Sequence, residues 1–339
     1  MADALTSRRI HERLNELYQR HLTADDSAVA HFYEATSGYY PLADAGTERD
    51  TFGISLADLD GELYGVGDHD QPFAVQSISK VFVYGLALVD CGRDRVLQQI
   101  GVEPSGDAFN SILLDERDRR PYNPMVNAGA IVAAGLVDGR DTAERVDRIV
   151  EVMQQFAGND TLAVDEDTFQ REWSSPDRNR AIAYLMRSNG MLTSDVDETL
   201  EVYLRQCSVT LTCDDLARMA ATLANDGINP VTGVRALPAL RVRDVLSVMF
   251  TCGMYDYAGE WAFEVGVPAK SAVSGGILAA VPGKMGIGTF SPGLDQHGNS
   301  VRGVGVCQEV SQRLGLHLFA GEDEDVLLGP TAPDPAQLP

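Results

Sequence analysis

The sequence predicts an α+β fold: an antiparallel sheet built from both ends of the chain around a central, mainly helical region. Two observations carry this. Apolar and polar residues alternate near residues 50–70 and short apolar runs recur beyond 265, both as in strands, whereas residues 77–260 read as mainly helical. With no internal repeat and no linker-like stretch between them, the terminal strands are expected to meet in one sheet with the helices packed against it.

The elements follow in order. Leu5, Ile10, Leu14 and Leu17 mark an amphipathic helix over residues 4–21. TFGISLADLDGELYGVG alternates around an Asp58–Gly61 turn and reads as a hairpin, Thr51 to Leu56 followed by Glu62 to Val66. SISKVFVYGLALVDCG is small or apolar on nearly all sides, so it reads as a buried helix from Ser77 to near Gly92. Further helices are expected over 128–137, 142–156, 178–189, 196–207, 213–225 and 242–252, most separated by Gly, Pro or Asp. GGILAAVPGKMGIGTFSP supplies two strands around Pro282-Gly283, and SVRGVGVCQEV a third. Residues 1–325 are thus expected to form a single catalytic domain, with the sheet drawn from about 50–70 and 265–320. Residues 326–339, acidic and proline-rich, are expected to be a mobile tail.

Composition narrows the function. The chain has 339 residues, 44% hydrophobic and 23% charged, which is globular rather than disordered. A formal charge of -23 repels phosphate backbones and anionic lipid, so neither nucleic acid nor a membrane surface is an expected partner. Apolar runs such as Val81 to Val89 are too short to span a bilayer. The N-terminal segment lacks the apolar core and cleavage site of a secretory signal, so a cytoplasmic location is expected. Cys91, Cys207, Cys213, Cys252 and Cys307 are scattered and read as buried free thiols, and the isolated histidines give no metal pattern. Neither a metal nor a cofactor is expected.

Lysine is scarce. Of 27 basic residues only Lys80, Lys270 and Lys284 are lysine. Arginine serves surface ion pairs equally well, but only lysine can lose its proton when buried. Ser77-Ile78-Ser79-Lys80 spends one of these lysines three residues after a serine, at the start of an apolar helix. Positions i and i+3 share a helix face, so the Ser77 hydroxyl and the Lys80 amine are expected to meet. Burial disfavours the ammonium, leaving an amine able to take the serine proton, and the helix N-terminus offers backbone N–H groups to an oxyanion. Alone, Ser-x-x-Lys is a weak motif that more often marks a helix cap with a solvated lysine. Lysine scarcity and apolar flanks favour a nucleophile and base for acyl transfer.

Lys270-Ser271-Ala272 uses the second lysine just ahead of a predicted strand. Penicillin-binding proteins and class A β-lactamases, which are Ser-x-x-Lys acyl transferases, carry Lys-Thr/Ser-Gly on such a strand. Ala272 stands where they have glycine. Lys284 is given no chemistry.

Six segments, QSISKVF, YNPMVNAGAI, DRNRAIAYLM, YLRQCSV, GMYDYAGEWAF and PAKSAVSGGI, resemble the serine-dependent glutaminase family in order and spacing across roughly residues 25–320. The resemblance implies a β-lactamase-like fold, hydrolysis of L-glutamine to L-glutamate and ammonia, and a homodimer or homotetramer. It implies Ser77 as nucleophile, Lys80 as base and Tyr255 as a proton relay. By the same resemblance Tyr39, Asn127, Glu172, Asn179, Tyr203 and Tyr255 contact substrate, and the Val273 N–H shares an oxyanion hole with that of Ser77. These types suit a zwitterionic amino acid, with Glu172 for its ammonium and Asn127, Asn179 and a tyrosine for its carboxylate. Singly, each reads as a loop residue, a cap or a half-buried aromatic; the joint order and spacing set them apart. Two rivals remain at this level: another Ser-x-x-Lys enzyme, esterase or penicillin-recognising, and an inactive amino-acid-binding homologue.

Overall fold

A computed structural model of the chain describes residues 2–23, 50–106, 114–115 and 117–320. Helix α1 (Ala2–Leu22) leads to the hairpin β1 (Gly53–Asp58) and β2 (Leu63–Gly67), then to the short strand β3 (Phe73–Ala74). A 3-10 turn at Gln76–Ile78 opens the helical region: α2 (Ser79–Asp90), α3 (Arg93–Gln99), α4 (Asn127–Leu136), α5 (Thr142–Ala157), α6 (Glu166–Ser174), α7 (Asp177–Ser188) and α8 (Val196–Cys207). After β4 (Thr210–Leu211), which pairs with β3, come α9 (Cys213–Ala224), α10 (Ala239–Cys252), a 3-10 turn at Tyr255–Tyr257 and α11 (Ala258–Glu264). β5 (Ala269–Ser271), β6 (Gly276–Val281), β7 (Met285–Phe290) and α12 (Val301–Leu314) complete the described chain.

The sheet runs β2-β1-β7-β6-β5, antiparallel throughout. β1, from the N-terminal part, lies beside β7, from the C-terminal part, in the register Ile54↔Thr289 and Leu56↔Ile287. The α+β class and the sheet drawn from both chain ends are therefore as the sequence predicts.

Period-2 alternation on β7 decides which helix covers which face. Gly286 and Gly288 point to one side, where α9 lies so close that a Cβ at Gly286 would stand 2.1 Å from the Ala217 carbonyl oxygen. One at Gly288 would stand 2.4 Å from that of Cys213. Ile287 points to the other side and joins Ile54, Ile277 and Ala279 in a core closed by Leu14 and Leu17 of α1 and Val304 and Val310 of α12. Glu309 binds Arg20, His21 and Arg313 at 2.5, 2.8 and 2.7 Å and ties α1 to α12. A second core gathers the helices around α2, where every residue from Ser79 to Leu88 is buried.

One predicted strand is a helix. SVRGVGVCQEV falls on α12, because Ser300 caps it, its hydroxyl accepting from the Gly303 N–H at 3.2 Å, and Gly315 ends it in the left-handed region at φ 58°. The Val-Gly-Val-Gly-Val alternation imitates a strand, but Val304, Cys307 and Val310 recur at helical spacing and those three are buried together. The sheet contribution beyond residue 265 accordingly ends at Phe290. Helices α3, α6 and α11, too short for a clear period, were not anticipated, nor was β5, which places Lys270 on a strand rather than ahead of one. The expected tail at 326–339 lies outside the described residues.

Candidate active site

Ser77 sits where a strand gives way to a helix. The Val75 N–H donates to the Val209 carbonyl at 2.8 Å, and the chain then tightens into the turn that precedes α2. Gln76 adopts φ 46°, in the left-handed region, which costs a non-glycine residue about 1–3 kcal/mol unless its surroundings hold it there. The Ser79 hydroxyl donates to the Gln76 carbonyl at 2.6 Å, and the Gln76 amide donates to Glu172 Oε1 at 3.3 Å. Tyr255, which opens the second 3-10 turn, is left-handed as well, at φ 58°. Two strained backbones thus flank the same serine.

Lys80 lies in the first turn of α2, on the face it shares with Ser77, and is 1% exposed. Its Nζ donates to the Met125 carbonyl at 3.2 Å and to Asn127 Oδ1 at 2.7 Å. Loss of hydration lowers its pKa from 10.5 to about 8, against a small opposing contribution from the Cys207 thiol. Asn127 begins α4, and its Nδ2 donates to Asn179 Oδ1 on α7 at 3.1 Å. Glu172, half-buried on α6, has its carboxyl pushed up by burial, with the Gln76 hydrogen bond opposing the shift. Tyr203, buried on α8, hydrogen-bonds the Cys207 thiol one turn on; burial holds that thiol at about 12.

The sheet supplies the opposite wall. The Tyr255 hydroxyl donates to the Ser271 carbonyl at 3.1 Å and has the Ser77 hydroxyl as a further hydrogen-bond partner. Lys270 Nζ donates to the Gly253 and Ser271 carbonyls at 3.0 and 2.6 Å and stands 4.1 Å from the centre of the Tyr255 ring. Complete burial, and then the charge of Lys80, holds the Lys270 amine well below its ordinary pKa. After β5 the chain turns through Ala272–Gly275, the Gly275 N–H donating to the Ala272 carbonyl at 2.9 Å and the Ala272 N–H to Gly276 at 2.9 Å. Those bonds use the N–H groups of Ala272 and Gly275, not that of Val273, at the second position of the turn. β5 packs against the turn that carries Ser77. Ala272, which stands where penicillin-binding proteins and class A β-lactamases have glycine, is fully buried in the helical core and has no positive φ.

Hydrogen bonds therefore join Ser77 to Tyr255, Lys80 to Asn127 and Asn127 in turn to Asn179, and Glu172 to the residue before Ser77. Tyr203 comes in through Cys207, and Val273 through β5. Tyr39 lies outside the described residues. A small opening lined by Ser105, Asn123, Met125, Val126, Cys252 and Tyr255 borders the group. The sequence reading had missed Gln76 and given Ser271 no part of its own. Gln76 depends on a left-handed backbone that no periodicity announces, whereas Ser271 could have been suspected beside one of only three lysines. Among the described residues no three His, Cys, Asp or Glu side chains gather as a metal site. Chemically, a buried amine of lowered pKa one helical turn from a hydroxyl, with a strand turn whose own hydrogen bonds do not use the Val273 N–H, can activate that hydroxyl and hold an oxyanion.

Comparison with known proteins points the same way. A family model described as Glutaminase matches residues 36–319. The glutaminase of Trichormus variabilis is 52% identical over 306 residues, covering 90% of this chain and 89% of that protein. Glutaminase 2 of Clostridium perfringens is 45% identical, covering 84% and 93%. Among solved structures, probable glutaminase YbaS superposes with a TM-score of 0.80 at 40% identity, over 89% of this chain and 99% of that one. Mglu in its L-glutamate binding form in 4.3 M NaCl gives 0.84 at 44% identity, over 93% and 70%.

Proposed function

The chain belongs to the glutaminase family and hydrolyses L-glutamine to L-glutamate and ammonia; on that premise we propose that Ser77 is the nucleophile and Lys80 its base. The observation that carries this reading is the complete burial of Lys80 one helical turn from Ser77, with a pKa near 8. Ser77 Oγ attacks the side-chain amide carbon of glutamine while its proton passes to the Lys80 amine. The oxyanion is held by the N–H groups of Ser77 and Val273. Lys80 then returns the proton, through Tyr255, to the departing nitrogen, which leaves as ammonia and a γ-glutamyl ester on Ser77. Water attacks that ester, its proton taken by Lys80 and given back to Ser77 Oγ, and glutamate leaves.

Glu172 receives the substrate ammonium, and Asn127, Asn179, Tyr203 and Tyr39 its carboxylate and stem. Burial of Glu172 favours this pairing, because a half-desolvated carboxyl gains most from an arriving cation. The proposal takes residues 1–325 as one catalytic domain, since Ser77 belongs to the helical layer and Val273 to the sheet. It extends to a homodimer or homotetramer, as the family resemblance implies. A cytoplasmic location is supported by five free thiols, and among the described residues no helix is long and apolar enough to cross a membrane.

The test is ammonia release from L-glutamine by Ser77→Ala and Lys80→Arg, each expected to lose about four orders of magnitude or more in kcat. Mass spectrometry of quenched enzyme should find one γ-glutamyl group on the Ser77 peptide. Wild-type turnover by Ser77→Ala would end this assignment. Hydrolysis of a β-lactam or a nitrophenyl ester without ammonia release would favour the other Ser-x-x-Lys chemistries.

A further inference from the structure

Asn299 is 0% exposed and lies in the β7–α12 connection, remote in sequence from every residue assigned above. Its backbone is fixed: its N–H donates to Asp295 Oδ1 at 2.9 Å, and its carbonyl accepts from the Asp295 N–H at 2.8 Å. The next residue, Ser300, caps α12. From this anchored position the Asn299 side-chain oxygen reaches across to β5 and accepts the Ser271 hydroxyl at 2.5 Å.

Ser271 is the hub between the two sides of the site. Its carbonyl accepts both Lys270 Nζ, at 2.6 Å, and the Tyr255 hydroxyl, at 3.1 Å. Its side chain is also within hydrogen-bonding reach of Tyr255. A serine hydroxyl has one proton and an amide oxygen has none, so the direction of this proton is settled by Asn299. If the proton were not held there, it could turn to the Tyr255 oxygen and occupy the lone pair through which Tyr255 takes up the proton that Lys80 returns. The Asn299 Nδ2, meanwhile, is buried with no hydrogen-bond partner among the described residues. Leaving such a group buried and unpaired costs stability.

We propose that Asn299 is a positioning residue for glutamine hydrolysis, holding the Ser271 proton so that the Tyr255 oxygen stays open to the proton it relays from Lys80. This rests on the roles proposed above for Ser77 and Tyr255. Asn299 touches no substrate; it sets the hydrogen-bond polarity of the wall that Tyr255 leans on.

Steady-state kinetics of two near-isosteric variants test it. Asn299→Leu keeps the volume and removes the acceptor, and is expected to lower kcat about 10- to 100-fold with KM changed less than about threefold. Asn299→Asp keeps an acceptor and is expected to stay within about tenfold of wild type. Equal kcat values for the two, or a loss confined to KM, overturns the proposal. In a Ser271→Ala background Asn299→Leu should add less than about a twofold loss, because the hydroxyl it acts through is gone; a full further loss also overturns it. Where leucine prevents folding, Asn299→Ala carries the same expectations. Tyr255→Phe tests the reading underneath: a wild-type rate there removes Tyr255 from the mechanism, whereas a slow Tyr255→Phe beside a normal Asn299→Leu removes only Asn299.

Discussion

Lys80 Nζ and Asn127 Oδ1 stand 2.7 Å apart, both residues buried. A neutral amine has two N–H bonds, and the described acceptors of Lys80, Asn127 Oδ1 and the Met125 carbonyl, are also two. Once both are engaged, the lone pair is what remains for the neighbouring Ser77. Asn127 thereby orients the proposed base with its oxygen while its nitrogen reaches Asn179.

The first consequence is a pH dependence. The base must be neutral, and with a pKa of about 8 roughly one-tenth of Lys80 is neutral at pH 7. kcat/KM for glutamine should therefore rise with pH through about 8 and fall on the acid side. Asn127→Asp, which places a carboxylate on the amine, should move that limb to higher pH. A profile flat from pH 6 to 9 would contradict the assignment of Lys80.

Stability should move against activity at the same residue. A lysine held near 8 rather than 10.5 costs the folded state about 3 kcal/mol wherever the unfolded chain binds the proton and the folded chain resists it. That penalty is complete below about pH 8 and gone by about 10.5. Lys80→Met should thus be inactive yet more stable at pH 7, less the cost of two carbonyl acceptors left unmet, and its advantage should vanish as the pH rises. Urea melts at pH 7 and pH 10 measure the difference; an advantage that grows with pH would refute the argument.

Glu172→Gln should act on affinity. Removing the carboxylate proposed to meet the substrate ammonium is expected to raise KM by about one to two orders of magnitude. Because burial raises the pKa of Glu172, KM of the wild type should also climb as the carboxyl protonates in mild acid. The variant should lack that dependence. A parallel acid rise in both proteins would assign the titration elsewhere.

The covered face of β7 predicts intolerance. Gly286→Ala or Gly288→Ala puts a methyl within 2.1 or 2.4 Å of a backbone oxygen of α9, which the backbone of a packed helix cannot yield cheaply. A loss of at least about 2 kcal/mol is expected, measured by thermal or denaturant unfolding. Variants as stable as wild type would mean that α9 can lift from the sheet without penalty.

What the sequence made legible follows from how local each signal is. α8 was found to the residue because Asp195 caps it and its apolar positions keep one period. α12 was misread because its glycines, which let it sit close to the sheet and to His21, interrupt the apolar pattern as strand polar positions would. Ser77 and Lys80 stood out by their spacing and by the rarity of lysine. Asn127, Glu172, Asn179 and Tyr203 carry ordinary local patterns and were legible only through the family resemblance. Asn299 was invisible at that stage, because its contact with Ser271 spans 28 positions and depends on how the β7–α12 connection folds.

The distribution of lysine has a practical side. Two of the three lysine amines are sealed in the protein interior, while Lys284 stands exposed in the β6–β7 turn, at the opposite end of β6 from the Gly275–Gly276 turn. Amine-reactive dyes, tethers or resins offered to the folded protein will therefore find a single lysine, and one removed from the chemistry. Together with the α-amino group, which reacts with the same reagents, Lys284 defines a small set of attachment points on the enzyme.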